Sequence, residues 1–156
     1  MQSLNFPRYS FRIKSEGQRK HIFDNIRKRY VVLTPEEWVR QNLVSYLVED
    51  RKYPASLLAV EMPLKINRME RRADLVLFSG NGDPLLIAEC KAPGVKITQG
   101  VFDQVARYNL DMKVRYLIVS NGIVHYCAEL DHVRGVWSFL PQIPAFDEVI
   151  ERNRDL

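Results

Sequence analysis

Ala73-Asp74-Leu75-Val76-Leu77-Phe78-Ser79-Gly80-Asn81-Gly82-Asp83-Pro84-Leu85-Leu86-Ile87-Ala88-Glu89-Cys90-Lys91 is the stretch that decides the fold. Two apolar runs flank a polar turn containing Asn-Gly, a strong short-range hairpin signal. With Asn81-Gly82 as a two-residue turn, paired positions sum to 163 and Asp74 lies opposite Glu89. Directly opposed side chains have Cβ atoms roughly 4.5–5.5 Å apart, so the two carboxylates can share one divalent cation. Alternation along the strand puts Glu89 and Lys91 on one face. Two acids and an amine on one sheet surface are the groups that metal-assisted hydrolysis of a phosphodiester requires.

An acid two residues before a lysine occurs three times: Asp50-Arg51-Lys52, Glu89-Cys90-Lys91 and Asp111-Met112-Lys113. The first falls at an expected helix end and the third in a polar loop. Only Glu89-Cys90-Lys91 follows an apolar run, Leu85-Leu86-Ile87-Ala88, expected to be a buried strand. A charged pair at the end of a core strand is costly unless it is paired or bound to metal. A plain Glu89–Lys91 ion pair is the competing account, and Asp74 in register argues for the catalytic one.

The 156 residues make one domain with room for a real core. Hydrophobic residues are 46% and charged residues 27%, ordinary for a soluble globular protein. No run approaches the ~18 apolar residues of a membrane span, so no membrane partner is expected. The start, Met1-Gln2-Ser3-Leu4-Asn5-Phe6-Pro7, lacks the apolar core of a signal peptide. Cys90 and Cys127 both fall on expected strands without metal-type spacing, as buried thiols in a reducing cytoplasm do. Charge is uneven. Residues 1–30 hold eight Lys+Arg against Glu16 and Asp24, and the rest hold 15 against 17. A basic N-terminal arm over residues 1–30 suits a polyanion, with Arg27-Lys28-Arg29 as phosphate contacts. A merely solvated basic terminus accounts for the charge equally well.

Along the chain, Phe11-Arg12-Ile13-Lys14 reads as a short strand. Thr34-Pro35-Glu36-Glu37 starts a helix: Thr34 at the N-cap, Pro35 at the first position, and Glu37 placed to close a capping box. The helix should reach Asp50, with Val39, Leu43, Tyr46 and Leu47 on its apolar face. A strand from Leu57 follows, extending as far as Ile66, and then a turn over Asn67 to Glu70 and the hairpin. A helix should span Thr98 to Leu110, with strands at Val114–Val119, Ile123–Ala128 and Val136–Leu140 and a short helix after Pro144. The order is helix, three strands, helix, strand, added hairpin. That is an α/β domain with a mixed sheet and helices on its faces.

This order, with Asp74 on the second strand and Glu89-Cys90-Lys91 on the third, resembles the PD-(D/E)xK nuclease superfamily. Ala73 stands where the usual proline would be. Gln104 and Tyr108, four apart on one helix face, resemble the Gln-x-x-x-Tyr element of RecB-type nucleases. Glu37 and Arg40 are similar to the Glu-x-x-Arg of type I restriction enzyme R-subunit N-terminal domains. The resemblance implies a restriction-endonuclease-like core over residues 31–145, followed by a C-terminal tail at 146–156. No Gly-x-x-x-x-Gly-Lys phosphate loop is present, so the chain is expected to lack a translocating motor. It is then either a stand-alone nuclease or a module needing partners.

The resemblance also implies roles. Asp74, Glu89 and the Cys90 carbonyl would hold Mg²⁺, with Mn²⁺ able to substitute, for hydrolysis of DNA. Lys91 would orient the attacking water or stabilise charge on phosphorus. Gln104 would contact the site or the DNA backbone, and Tyr108 would fix Gln104 or simply pack. Two roles are open to Glu37, a water-mediated reach to the metal and the capping box. Glu61 would join the metal or pair with Arg40 or Arg72. His21, His125 and His132 show no ligand or triad spacing, and Ser120-Asn121-Gly122 reads as a turn. The implied function is a Mg²⁺-dependent endonuclease, with a non-catalytic DNA-binding or assembly module as the alternative. Partners would be DNA and either a second copy or other restriction subunits.

Overall fold

Thr34 caps its helix as its sequence dictates: its Oγ1 accepts from the Glu37 amide at 3.0 Å. In the computed structural model, which describes residues 1–66, 69–110 and 112–154, helix α1 spans Pro35–Ser45. A π-helical turn over Tyr46–Asp50 carries it to the expected end. Val39, Leu43 and Leu47 are fully buried. Burial of such a side chain contributes about 1.5–3 kcal/mol, which fixes the helix against the sheet.

That sheet has six strands in sequence order: β4 (Leu58–Ile66), β5 (Met69–Phe78), β6 (Pro84–Cys90), β7 (Tyr116–Ser120), β8 (His125–Asp131) and β9 (Val136–Leu140). All neighbours are antiparallel except β6 and β7, which are parallel and joined through helix α2 (Gln99–Leu110). A parallel pair needs such a crossover. Alternation divides the core. Leu75, Leu77, Leu86, Ala88 and Ile118 pack with α1 and with Val149 of helix α3 (Phe146–Arg154). Val76, Ile87, Leu117 and Val119 pack with Phe102, Val105 and Ala106 of α2. The sheet is thus covered on both faces, which is why its central strands are apolar throughout. Cys90 and Cys127 are free buried thiols.

The N-terminal segment differs from a simple arm. Three antiparallel strands, β1 (Ile13–Glu16), β2 (Arg19–Asp24) and β3 (Arg29–Val32), form a second sheet. Gly17, at φ +63°, makes the first turn. Only part of β1 was legible as a strand, because runs of Lys and Arg read as solvated chain. The first residues lie against the body: Asn5 N–H donates to the Gly122 carbonyl at 2.7 Å, and the Trp38 indole N–H to the Gln2 carbonyl at 2.8 Å. The segment after Pro144 is also anchored, with Val149 fully buried. Of the turn expected over residues 67–70, residues 67 and 68 lie outside the described ones, and Met69 and Glu70 already belong to β5.

Candidate functional site

The β5–β6 ladder keeps the expected register, Leu75 against Ala88, Val76 against Ile87 and Leu77 against Leu86. Its last pair is Leu75–Ala88. One step further, Cys90 N–H donates to the Asp74 Oδ2 carboxylate oxygen at 2.8 Å, where a ladder carbonyl would otherwise be found. On the other side of β5, β4 pairs at Val60–Leu75 and Met62–Ala73, and Glu61, at φ +53°, interrupts the ladder between them. Asp74 therefore sits where both ladders beside it part. Its second oxygen accepts from Arg40 Nη2 at 3.0 Å. The carboxylate is held from two directions before any ligand arrives.

Glu89 lies beside it. The Lys91 ammonium donates to Glu89 Oε1 at 3.3 Å. Burial and then the Asp74 charge push the Glu89 carboxyl up to about 7, against the pull of Lys91. Neighbouring carboxylates repel, so the Asp74 charge favours the protonated form of Glu89. The structure thus brings Asp74, Glu89 and Lys91 into one place. Glu89 and Lys91 keep roughly a third of their side-chain surface, so solvent reaches them.

Helix α1 supplies the wall. Arg40, almost wholly buried, donates from Nη1 to Glu37 at 2.7 Å and from Nη2 to Asp74, to Glu61 at 3.3 Å and to Glu36 at 3.4 Å. Burial pulls its pKa down, but Glu37 and Asp74 outweigh that and raise it. Glu37 does not close the capping box. Its carboxylate accepts from Arg27 Nη2 at 2.7 Å, from Arg40, and from the Gln41 amide at 3.0 Å. The Thr34 N–H that a capping box would satisfy donates to the Val32 carbonyl instead. Glu61 pairs with Arg40 and with Arg72, at 3.4 Å.

Glu36 is the residue the sequence reading passed over. Burial and then the Asp74 charge raise its pKa, while Arg40 and Lys91 lower it. It therefore faces the same centre as Glu89. The available signal was its place four residues before Arg40, on the same helix face.

The remaining expected residues lie on other elements. Arg27 turns inward: its Nε donates to Asp24 at 2.5 Å and its Nη2 to Glu37, leaving 12% of its side chain exposed. Lys28 and Arg29 are exposed. Gln104 is exposed on α2, the helix covering the face that carries Ile87. The side chain of Tyr108 lies outside the described residues. Among the described residues, no three His, Cys, Asp or Glu side chains form a group able to hold a metal ion. Among the described residues, no helix is long and apolar enough to cross a membrane.

Residues 35–144 match the family model of the type I restriction enzyme R protein N terminus. A fragment structure of a putative HsdR subunit of a type I restriction enzyme from Vibrio vulnificus YJ016 superposes with a TM-score of 0.57 at 20% identity, over 79% of this chain. At that identity the likeness is one of fold. This chain spans 26% of that chain's length. No curated protein matches the sequence.

Proposed function

The chain belongs to the family of the type I restriction enzyme R protein N terminus, and from that premise we propose that it is a Mg²⁺-dependent deoxyribonuclease domain of the PD-(D/E)xK kind. One observation supports this most. Asp74 and Glu89 come together at a ladder end, beside Lys91, where burial and the Asp74 charge raise the Glu89 pKa. Such a pair suits Mg²⁺, which takes one or two carboxylates and completes its shell with water and phosphate oxygens. Mn²⁺ suits the same donors. When bound there, the ion would polarise the scissile phosphate and acidify a water.

The chain's own groups divide the remaining work. The Cys90 amide and Arg40 fix Asp74, so its rotamer is set in advance. Cys90 also offers its carbonyl as a further ligand. Deprotonated, Glu89 would be a further ligand, and with its charge taken up by the ion the Lys91 ammonium would be free to orient water or meet charge developing on phosphorus. Gln104 contacts the DNA backbone, with Tyr108 fixing its helix position. Lys28 and Arg29 supply phosphate contacts, whereas Arg27 positions Glu37 and α1. DNA is the substrate, and other restriction subunits or a second copy are the partners.

A second reading, a non-catalytic DNA-binding or assembly module, is favoured by one feature: Arg40 already neutralises Asp74 at 3.0 Å. Plasmid cleavage with Mg²⁺, Mn²⁺ or Ca²⁺ separates the two. The nuclease cuts with the first two and is suppressed by Ca²⁺, whose looser shell misplaces the water. Asp74→Ala and Glu89→Ala abolish both Mn²⁺ binding and cleavage. Lys91→Ala keeps Mn²⁺ binding and loses about 10²–10³-fold in rate. Mn²⁺ binding without cleavage of single- or double-stranded DNA decides for the module. Cleavage untouched by Glu89→Ala and Lys91→Ala refutes the nuclease.

A further inference from the structure

The small N-terminal sheet has a face that takes no part in the acidic cluster around Asp74. Alternation along β2 sends Ile22 and Asp24 inward, where both are buried. Through Arg27, Asp24 ties this sheet to Glu37 and so to the wall of the cleft. The opposite face carries His21 and Phe23 of β2, Lys14 of β1 against His21, Arg19 against Glu16, and Tyr30 of β3 against Phe23. Arg12 joins them, since its carbonyl accepts from Phe23 N–H at 2.8 Å.

Rings and cations are interleaved here. The Arg12 guanidinium carbon lies 3.9 Å from the Phe23 ring centre, and the Lys14 ammonium 4.2 Å from that of Tyr30. Phe23 and Tyr30 meet edge to face at 5.2 Å. Tyr30 keeps 37% of its surface, and Arg12 is exposed. Glu16 is the opposing charge, 3.9 Å from both Lys14 and His21. Arg12, Lys14 and Arg19 outnumber it.

We infer that this face binds single-stranded DNA, with unpaired bases stacked on Tyr30 and on the open side of the Arg12 guanidinium, and phosphates on Lys14 and Arg19. Charge complementarity selects a polyanion. The rings select among polyanions. A duplex hides its base faces and an acidic peptide has none, whereas every unpaired base offers one. A guanidinium held flat on a ring is itself a stacking surface. Lys14 leaves the Tyr30 ring to take a phosphate as a base arrives, because an exposed cation–ring contact is weaker than a base–ring stack. This goes beyond the nuclease reading, and it is tested without cleavage.

The experiment is fluorescence anisotropy of a labelled oligothymidylate in EDTA, with a duplex of equal length beside it. The single strand binds more tightly. Tyr30→Leu, which keeps apolar bulk, weakens it roughly 5- to 150-fold, the range of one lost base stack. Tyr30→Phe, which keeps the ring, retains binding, and duplex affinity hardly moves in either variant. Lys14→Gln with Arg19→Gln reduces the salt slope by roughly 0.7 per lost phosphate contact. Should Tyr30→Leu lose its native circular dichroism, Tyr30→Phe and the double cation variant decide. Three results overturn the inference: equal binding of single strand and duplex, unchanged affinity in folded Tyr30→Leu and in the double cation variant, or equal competition by polyglutamate.

Discussion

Glu89→Gln should stabilise the protein in EDTA at alkaline pH and leave it unchanged in acid. The Glu89 carboxyl sits at about 7 in the fold against an ordinary 4.5, raised by burial and then by Asp74. The folded state therefore keeps a proton that the unfolded chain releases. Below about pH 4.5 both states carry it and Glu89 costs nothing. As pH rises towards 7, stability falls, and above 7 the loss is complete. At ~1.4 kcal/mol per pH unit the penalty is on the order of 3 kcal/mol, or roughly 6–12 °C in Tm for a chain of this size. The amide introduced by Glu89→Gln keeps the size of the side chain without titrating. Other groups contribute slopes of their own. Glu36, raised like Glu89, adds to the fall. His125, whose pKa burial lowers, opposes it. The readout is therefore the difference between variant and wild type, from urea unfolding in EDTA at intervals between about pH 5 and pH 8. That difference should grow with pH and level off near 7. Mn²⁺ should then stabilise the wild type at pH 8 and not the variant. A difference that stays flat across the window would refute the raised Glu89 pKa, and with it one support for a cation at this position.

Arg40→Met should cost about 3–5 kcal/mol in urea unfolding, because it leaves Glu37 and Asp74 in a poorly solvated wall without their shared partner. Gly122→Ala should destabilise by roughly 1–2 kcal/mol for the left-handed backbone alone, since φ is +86° there. An added Cβ would also lie 2.8 Å from a Leu4 methyl carbon, so limited proteolysis should cut the first residues faster than in the wild type.

The hairpin was read correctly for a reason that was not in the reading. The turn is not a two-residue one: Ser79 N–H donates to the Asp83 carbonyl, and the Ser79 hydroxyl accepts from the amides of Asn81 and Asp83. Phe78 pairs with Pro84, out of step with the pairs below. An extra residue on β6, Leu85, then restores the register at Leu77–Leu86. This explains why consecutive Leu85 and Leu86 enter the same side of the core. A longer turn and a bulge offset each other, and the apolar pattern of both strands enforced the result, since a one-residue slip would have exposed every core side chain. No such pattern marks the N-terminal sheet. Its strands are short and mostly exposed, with Lys and Arg interspersed, and only Ile22 and Asp24 show that one face is covered.

The acids of the cleft follow a division that sequence spacing hides. Glu36 and Glu37 are neighbours on one helix turn, and both bond Arg40. Adjacent helical positions point about 100° apart, so one turns into the protein and the other towards the cleft. Glu37, inside, receives two guanidinium groups and an amide. That is complete compensation for a buried charge. Glu36, at the mouth, shares Arg40 with three other acids and is half exposed. The buried part of the network is thus closed and structural, and the uncompensated charge gathers around Asp74, between Glu36 and Glu89. Both of those groups are pushed towards protonation by the same carboxylate. An arrangement needed only for stability would have spent its arginines on the outer acids as well. On the proposed nuclease reading, that uncompensated charge is where a divalent cation would bind, beside the Lys91 ammonium already paired with Glu89.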